Sequence, residues 1–144
     1  MNANPKAMQS YGKIANRETD PIRQIVMLYD GAIKFLNLTA EDIENESIIA
    51  KAEHSTRALD ILSYLQSILD FEKGGEVAAA LDNLYATTTV LVIRASAELD
   101  ADLMRQAAKL LQPVRDAWES NAAKTTQVSS SPQFQAPSTI KVAV

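Results

Sequence analysis

Between Ser47 and Leu99 the chain repeats apolar residues at helical spacing on both sides of a single Gly74-Gly75 corner. On the N-terminal side Ile48, Ala52, Ser55, Leu59, Leu62, Leu65 and Leu69 form one stripe, widened by Ala58, Ile61 and Ile68. After the corner the stripe resumes with Val77, Leu81, Leu84, Tyr85, Thr88, Leu91, Val92 and Ala95. Apolar residues three and four apart mark the buried face of an amphipathic helix. Glycine just past such a run stops it, because it alone enters the left-handed C′ conformation without a Cβ clash. A corner this short turns the two helices antiparallel, so the spacing predicts a hairpin of helices over Ser47–Phe71 and Glu76–Leu99. The run Thr87–Ile93 is β-branched and would suit a strand. The apolar period continues on both sides of it without turn residues, and the reading stays helical.

Two further helices flank this hairpin. Asp20-Pro21 places an N-cap before proline at the first helical position, and Ile22, Ile25, Val26, Tyr29, Ala32, Ile33 and Leu36 carry a stripe to about Leu38. Gly31 sits inside that helix, where it costs up to about 1 kcal/mol against alanine unless a neighbouring helix needs the space. The acidic stretch Thr39–Glu46 reads as the first connection. Asp100 or Asp102 caps a fourth helix with Leu103, Met104, Ala107, Leu110, Leu111, Val114 and Trp118. Pro113 lies inside it and predicts a kink, or a break followed by a short helix. The expected architecture is all-α: an antiparallel up-down four-helix bundle over residues 20–120. A cap segment, 1–19, precedes it, with Met8, Tyr11 and Ile14 spaced for one side of a short helix. From Asn121 to Val144 the composition turns Ser/Thr/Gln/Pro-rich without acidic residues, which predicts a disordered tail.

Composition removes several functions. With no cysteine there is neither a disulfide nor a thiolate site, and the one histidine excludes a multi-histidine metal centre. Residues 21–120 hold sixteen acidic and nine basic side chains, a net of −7, which disfavours a phosphate backbone as partner. The N-terminus lacks the apolar stretch of a signal peptide, and the uncharged run Asn83–Ile93 is too short to span a bilayer. No nucleic acid, membrane insertion or cofactor is expected, and the chain reads as cytoplasmic. Asp70, Glu72 and Glu76 crowd the glycine corner but lack calcium-loop spacing, so a solvated turn accounts for them. No nucleophile stands with a base, and the chain does not read as an enzyme.

What remains is surface. Leu28, Phe35, Tyr64, Val90 and Ile93 are apolar positions off the main stripes. A second apolar face marks a partner groove, and a wide buried stripe in a compact bundle explains the same pattern equally well.

The run Met27-Leu28-Tyr29-Asp30-Gly31-Ala32 resembles the M-L-[YF]-D-G-A signature of the flagellar secretion chaperones of FliS type. Leu69-Asp70 and Glu72-Lys73-Gly74-Gly75-Glu76 resemble the same family's L-D-x-E-K-G-G-E corner, and Leu81 and Leu84-Tyr85 come after it at the family's spacing. Ala58, Ile61, Leu62 and Leu65 are similar to its second helix, and Ala117-Trp118 to its late A-W pair. The resemblance covers about residues 8–119. It implies a helical bundle without catalysis that binds the disordered C-terminal segment of flagellin, prevents premature polymerisation and assists delivery to the export gate. It also implies an N-terminal segment over part of the client groove, where Met8 and Tyr11 match and Tyr11 would act as a plug. Together with the off-stripe positions, the candidate partner contacts are Met8, Tyr11, Tyr64, Leu65, Tyr85, Val90 and Ile93. Ala86-Thr87-Thr88-Thr89-Val90 departs from the family's polar pattern at that point. One alternative is a histidine phosphotransfer bundle using His54, although His54-Ser55-Thr56-Arg57-Ala58 lacks the lysine and glycine such domains place beside it. A solvent-facing residue on the helix back is the simpler reading of His54. Another alternative is a helical adaptor for a different secreted client. Both a monomer and a weak dimer are compatible with the sequence.

Overall fold

A computed structural model describes residues 21–127, and within that range the chain is helical with short connections. The helices are α1, Pro21–Glu44; α2, Ile48–Ser67; α3, Phe71–Glu98; and α4, Ala101–Gln127. Each packs against its sequence neighbours, and α1 also packs against α4, which closes an antiparallel four-helix ring. Met8, Tyr11 and the rest of the cap segment lie outside the described residues, as does the tail after Gln127.

Helix α1 is longer than its stripe suggested, and Thr39–Glu44 belongs to it rather than to the connection. Thr39, Ala40 and Ile43 continue the buried face, while Glu41 and Glu44 stay outside and Asp42 lies at the edge, half-buried. The Thr39 hydroxyl donates to the Phe35 carbonyl at 2.7 Å, which satisfies it within the helix. A Schellman turn ends α1: the Ser47 N–H donates to the Asp42 carbonyl at 2.8 Å and the Glu46 N–H to Ile43 at 3.1 Å. Glu46 takes the left-handed conformation there, with φ 55°.

The reversal between α2 and α3 is displaced from the glycine pair. Helix α2 stops at Ser67 instead of Phe71, and the chain turns over Ile68–Asp70. Asp70 is then the N-cap of α3, its carboxylate accepting from the Lys73 N–H at 3.0 Å. Gly74 stays in this first turn, and Gly75 (φ 51°, ψ −123°) breaks the helix once before the long run begins. The glycine pair therefore bends the start of α3, and capping by aspartate makes the corner. The β-branched run remains helical, with the buried Thr88 hydroxyl donating to the Leu84 carbonyl at 2.8 Å. Leu99 is the second non-glycine residue at φ 55°, closing α3, and Asp100 caps α4 through the Leu103 N–H at 2.9 Å. Pro113 does not break α4; it sits exposed on the outer side, and the helix runs past Asn121 to Gln127.

The core is a continuous cluster of Ile22, Ile25, Leu36, Leu62, Leu65, Val92, Met104 and Leu111 around two tyrosines. Ile48, Val77 and Leu110 were expected in the stripes but are exposed, because each lies on the flank of its helix rather than its centre. Gly31 meets α2 closely: a Cβ there would stand 3.2 Å from the Ile61 δ-methyl, so glycine allows the α1–α2 approach.

Candidate functional site

At the centre of the bundle the Tyr29 and Tyr85 hydroxyls are 2.6 Å apart, both residues fully buried and their rings tilted by 58°. The Trp118 indole also lies near the Tyr29 hydroxyl, so α1, α3 and α4 meet at one polar knot. Burial pushes the Tyr29 hydroxyl up from the ordinary tyrosine value to about 12 and raises Tyr85 further, since an ionised phenol has no water to solvate it. Proton-transfer chemistry near neutrality has no foothold here. The knot fixes the relative positions of three helices.

Tyr85 and Leu65, expected to touch a partner, are 0% and 1% exposed and belong to this core. Each lies in the middle of its buried stripe, where it faces the opposite helix rather than solvent. Phe35 is half-buried, stacked on the His54 ring at 6.0 Å between centroids and flanked by the Lys34 and Arg57 cations. His54 itself points toward α1, where its Nδ1 pairs with the Asp42 carboxylate at 2.6 Å. It is therefore half-buried and paired rather than the freely solvent-facing residue that the sequence suggested. Asp70 is occupied as a helix cap, and among the described residues no three potential ligands converge to hold a metal ion.

The helix surfaces differ. Along the α1–α4 seam, Arg105 grips Glu44 with two 2.7 Å bonds, and Arg115 reaches Asp30 at 2.7 Å. Between α2 and α3, Gln66 donates to Asp82 at 2.9 Å and Lys51 donates to the Ser96 carbonyl at 3.1 Å. Outside that pair α3 is apolar and open: Val90 is 63% and Ile93 56% exposed. Ile93 stands three helical turns beyond Asp82, on the α2 side of α3. On α2, Ile48 lies five turns before Gln66, so its exposed side chain borders the same groove. Tyr64 is also exposed, but it occupies the other flank of α2, on the side where Ile61 meets Gly31 of α1. The apolar positions expected to bind a partner thus do not form one patch. The exposed Ile48 and Val77 were missed as surface because periodicity assigned them to the core.

Helix Phe71–Glu98 is long and apolar enough to cross a membrane by length and composition. In the bundle, one face of it is instead buried against α2 and α4.

A family model described as flagellar protein FliS matches residues 3–126. The chain belongs to the FliS family. Its similarity to curated members extends over most of its length. It is 30% identical over 118 residues to flagellar secretion chaperone FliSB of Pseudomonas aeruginosa strain PAO1, covering 79% of this chain and 94% of the relative. It is 32% identical over 107 residues to flagellar secretion chaperone FliS of Salmonella typhimurium strain LT2, covering 74% and 79% respectively. The FliS of Campylobacter jejuni strain 81116 is 30% identical over 115 residues, 80% of this chain and 90% of that one. FliS proteins are chaperones of flagellar secretion, not enzymes, and this chain is one of that family. The tyrosine knot and the close glycine approach belong to the scaffold of this FliS-family chain.

Proposed function

We propose that this FliS-family protein acts in the cytoplasm, holding the disordered C-terminal segment of flagellin before export. It would thereby prevent premature polymerisation and assist delivery to the export gate. The observation that carries this reading is the exposed apolar surface along α2 and α3, with Ile48 and Ile93 on the flanks that face each other and Val90 on the outer side of α3. An amphipathic segment laid along such a surface buries apolar area on both partners, and ordering of the segment on docking keeps the complex releasable. Tyr64 contributes on the neighbouring α1–α2 flank, and Met8 and Tyr11 are retained as candidate contacts from the cap segment.

Calorimetric titration with the C-terminal segment of flagellin from the same genome tests the reading. Stoichiometric binding with a large negative heat-capacity change is the expected outcome. The double variant V90D/I93D is expected to weaken it at least about tenfold, because each charge must be desolvated in the complex. Absence of heat and of a complex on a sizing column, with both partners folded, removes flagellin as client.

A further inference from the structure

The α3–α4 seam has a different character from the other three. Val77, Leu84 and Leu91 recur every seven residues along α3, on the flank away from Asp82 and therefore away from α2. Leu103, Leu110 and Ala117 recur in the same way along α4, on the flank away from Arg105 and therefore away from α1. Because α3 and α4 pack together, these two rows border one groove, and none of its six positions is charged. Val77 is 52% and Leu110 38% exposed, and Ala117 is exposed as well, while Leu84, Leu91 and Leu103 pack partly against the core. The groove is open apolar surface that the bundle does not cover.

The chain supplies its own occupant. Helices α3 and α4 are antiparallel and joined by a tight turn at Leu99–Asp100, so Gln127 ends α4 at the Val77 end of the groove. Residues 128–144 continue from that end. Their last stretch, Ser138-Thr139-Ile140-Lys141-Val142-Ala143-Val144, alternates so that Ile140, Val142 and Val144 share one face when extended. This segment contains no acidic residue, and Lys141 on the opposite face suits a bundle of net negative charge. Its reach is ample: 128–144 spans up to roughly 55 Å extended, against roughly 21 Å from Val77 to Leu91 along the helix. A tether that short also holds the segment at an effective concentration in the millimolar range, which favours it over a second copy.

We propose that residues 138–144 dock in cis along the α3–α4 groove, with Ile140, Val142 and Val144 against Val77, Leu84 and Leu110. The docked tail shields apolar surface that the free chaperone otherwise exposes. This inference concerns a different seam from the proposed flagellin groove and stands whether or not flagellin is the client.

The absence of cysteine gives a direct test. A nitroxide attached to Ala143→Cys in the full-length protein is expected to reduce the amide signal intensities of Leu84, Leu91 and Leu110. Adding I140D/V142D/V144D to the same labelled chain is expected to restore them. Broadening centred on Leu28, Tyr64 and the rest of the α1–α2 side instead, or no broadening beyond that of a freely diffusing label, overturns the proposal. So does broadening in a mixture of labelled and isotope-enriched chains equal to that within one chain, which would assign the groove to a second copy.

Discussion

Tyr29 of α1 and Tyr85 of α3 join hydroxyls at 2.6 Å across the bundle diagonal, between helices that otherwise scarcely meet. Either Tyr→Phe substitution leaves the remaining buried hydroxyl without its partner. Stranding a buried polar group costs about 1–3 kcal/mol. Urea unfolding is therefore expected to show each single substitution as destabilising by about that amount. The double variant should lose less than the sum of the two, and strict additivity would show that the hydroxyls are not coupled.

The same pair sets a limit on alkaline stability. Tyr29 is raised to about 12 in the folded protein, and Tyr85 is raised as well, both chiefly by burial. A group with a raised folded value contributes stability that is fully present below its unfolded value, near 10, and is lost as pH rises through the folded one. Thermal midpoints are expected to hold up to about pH 10 and fall steeply toward pH 12. Tyrosinate absorbance from these two residues should appear only with unfolding; ionisation of Tyr29 well before the transition would contradict the burial described.

Gly74 and Gly75 are adjacent but not equivalent. Only Gly75 has a positive φ, with ψ −123°, while Gly74 lies in the helical turn capped by Asp70. Gly75→Ala is expected to cost about 1–3 kcal/mol in strain, despite open space around it. Gly74→Ala should be neutral or gain up to about 1 kcal/mol of helix propensity. Equal effects in chemical denaturation would contradict the different roles.

Gly31 tests the α1–α2 approach. The contact an added methyl would make is with the mobile end of Ile61, so Gly31→Ala is expected to change stability by less than about 1 kcal/mol, propensity offsetting the shift. Gly31→Leu has no such relief and should cost about 1–3 kcal/mol through overpacking.

Glu46 and Leu99 hold left-handed conformations that glycine usually supplies at helix ends. Replacing either by glycine is expected to raise stability by up to about 1 kcal/mol, less the entropy glycine adds to the unfolded chain. The gain should appear in the denaturation midpoint without a change in slope.

Helix number, direction and most of the core were legible in the sequence, because the 3.6-residue period runs unbroken through Ile22–Leu36, Ala58–Leu65 and Leu81–Ala95. Their ends were harder to read. Acidic residues on the outer face disguised Thr39–Glu44 as a loop, and the glycine pair drew attention from Asp70, whose capping bond places the real corner. Periodicity also places a residue only to within the width of a face. Tyr85 and Leu65 fall in the centre of their stripes and Val77, Ile48 and Leu110 on the flank, a distinction that depends on where neighbouring helices sit. His54 shows the same limit, since its partner Asp42 lies on a stretch that looked like a connection.

The uneven packing of the ring has a consequence for how the molecule opens. Helix α1 is engaged far more extensively by α2 and α4 than α3 is by the same two helices. Cooperative units with fewer buried contacts detach at lower free energy than the whole domain unfolds. Amide protons of α1 should then exchange only through global unfolding, and those of α3 through a cheaper, partial release that leaves α1, α2 and α4 associated. The helix with the most uncovered apolar surface would be the one the fold grips least, so native-state breathing would enlarge the groove on either side of it.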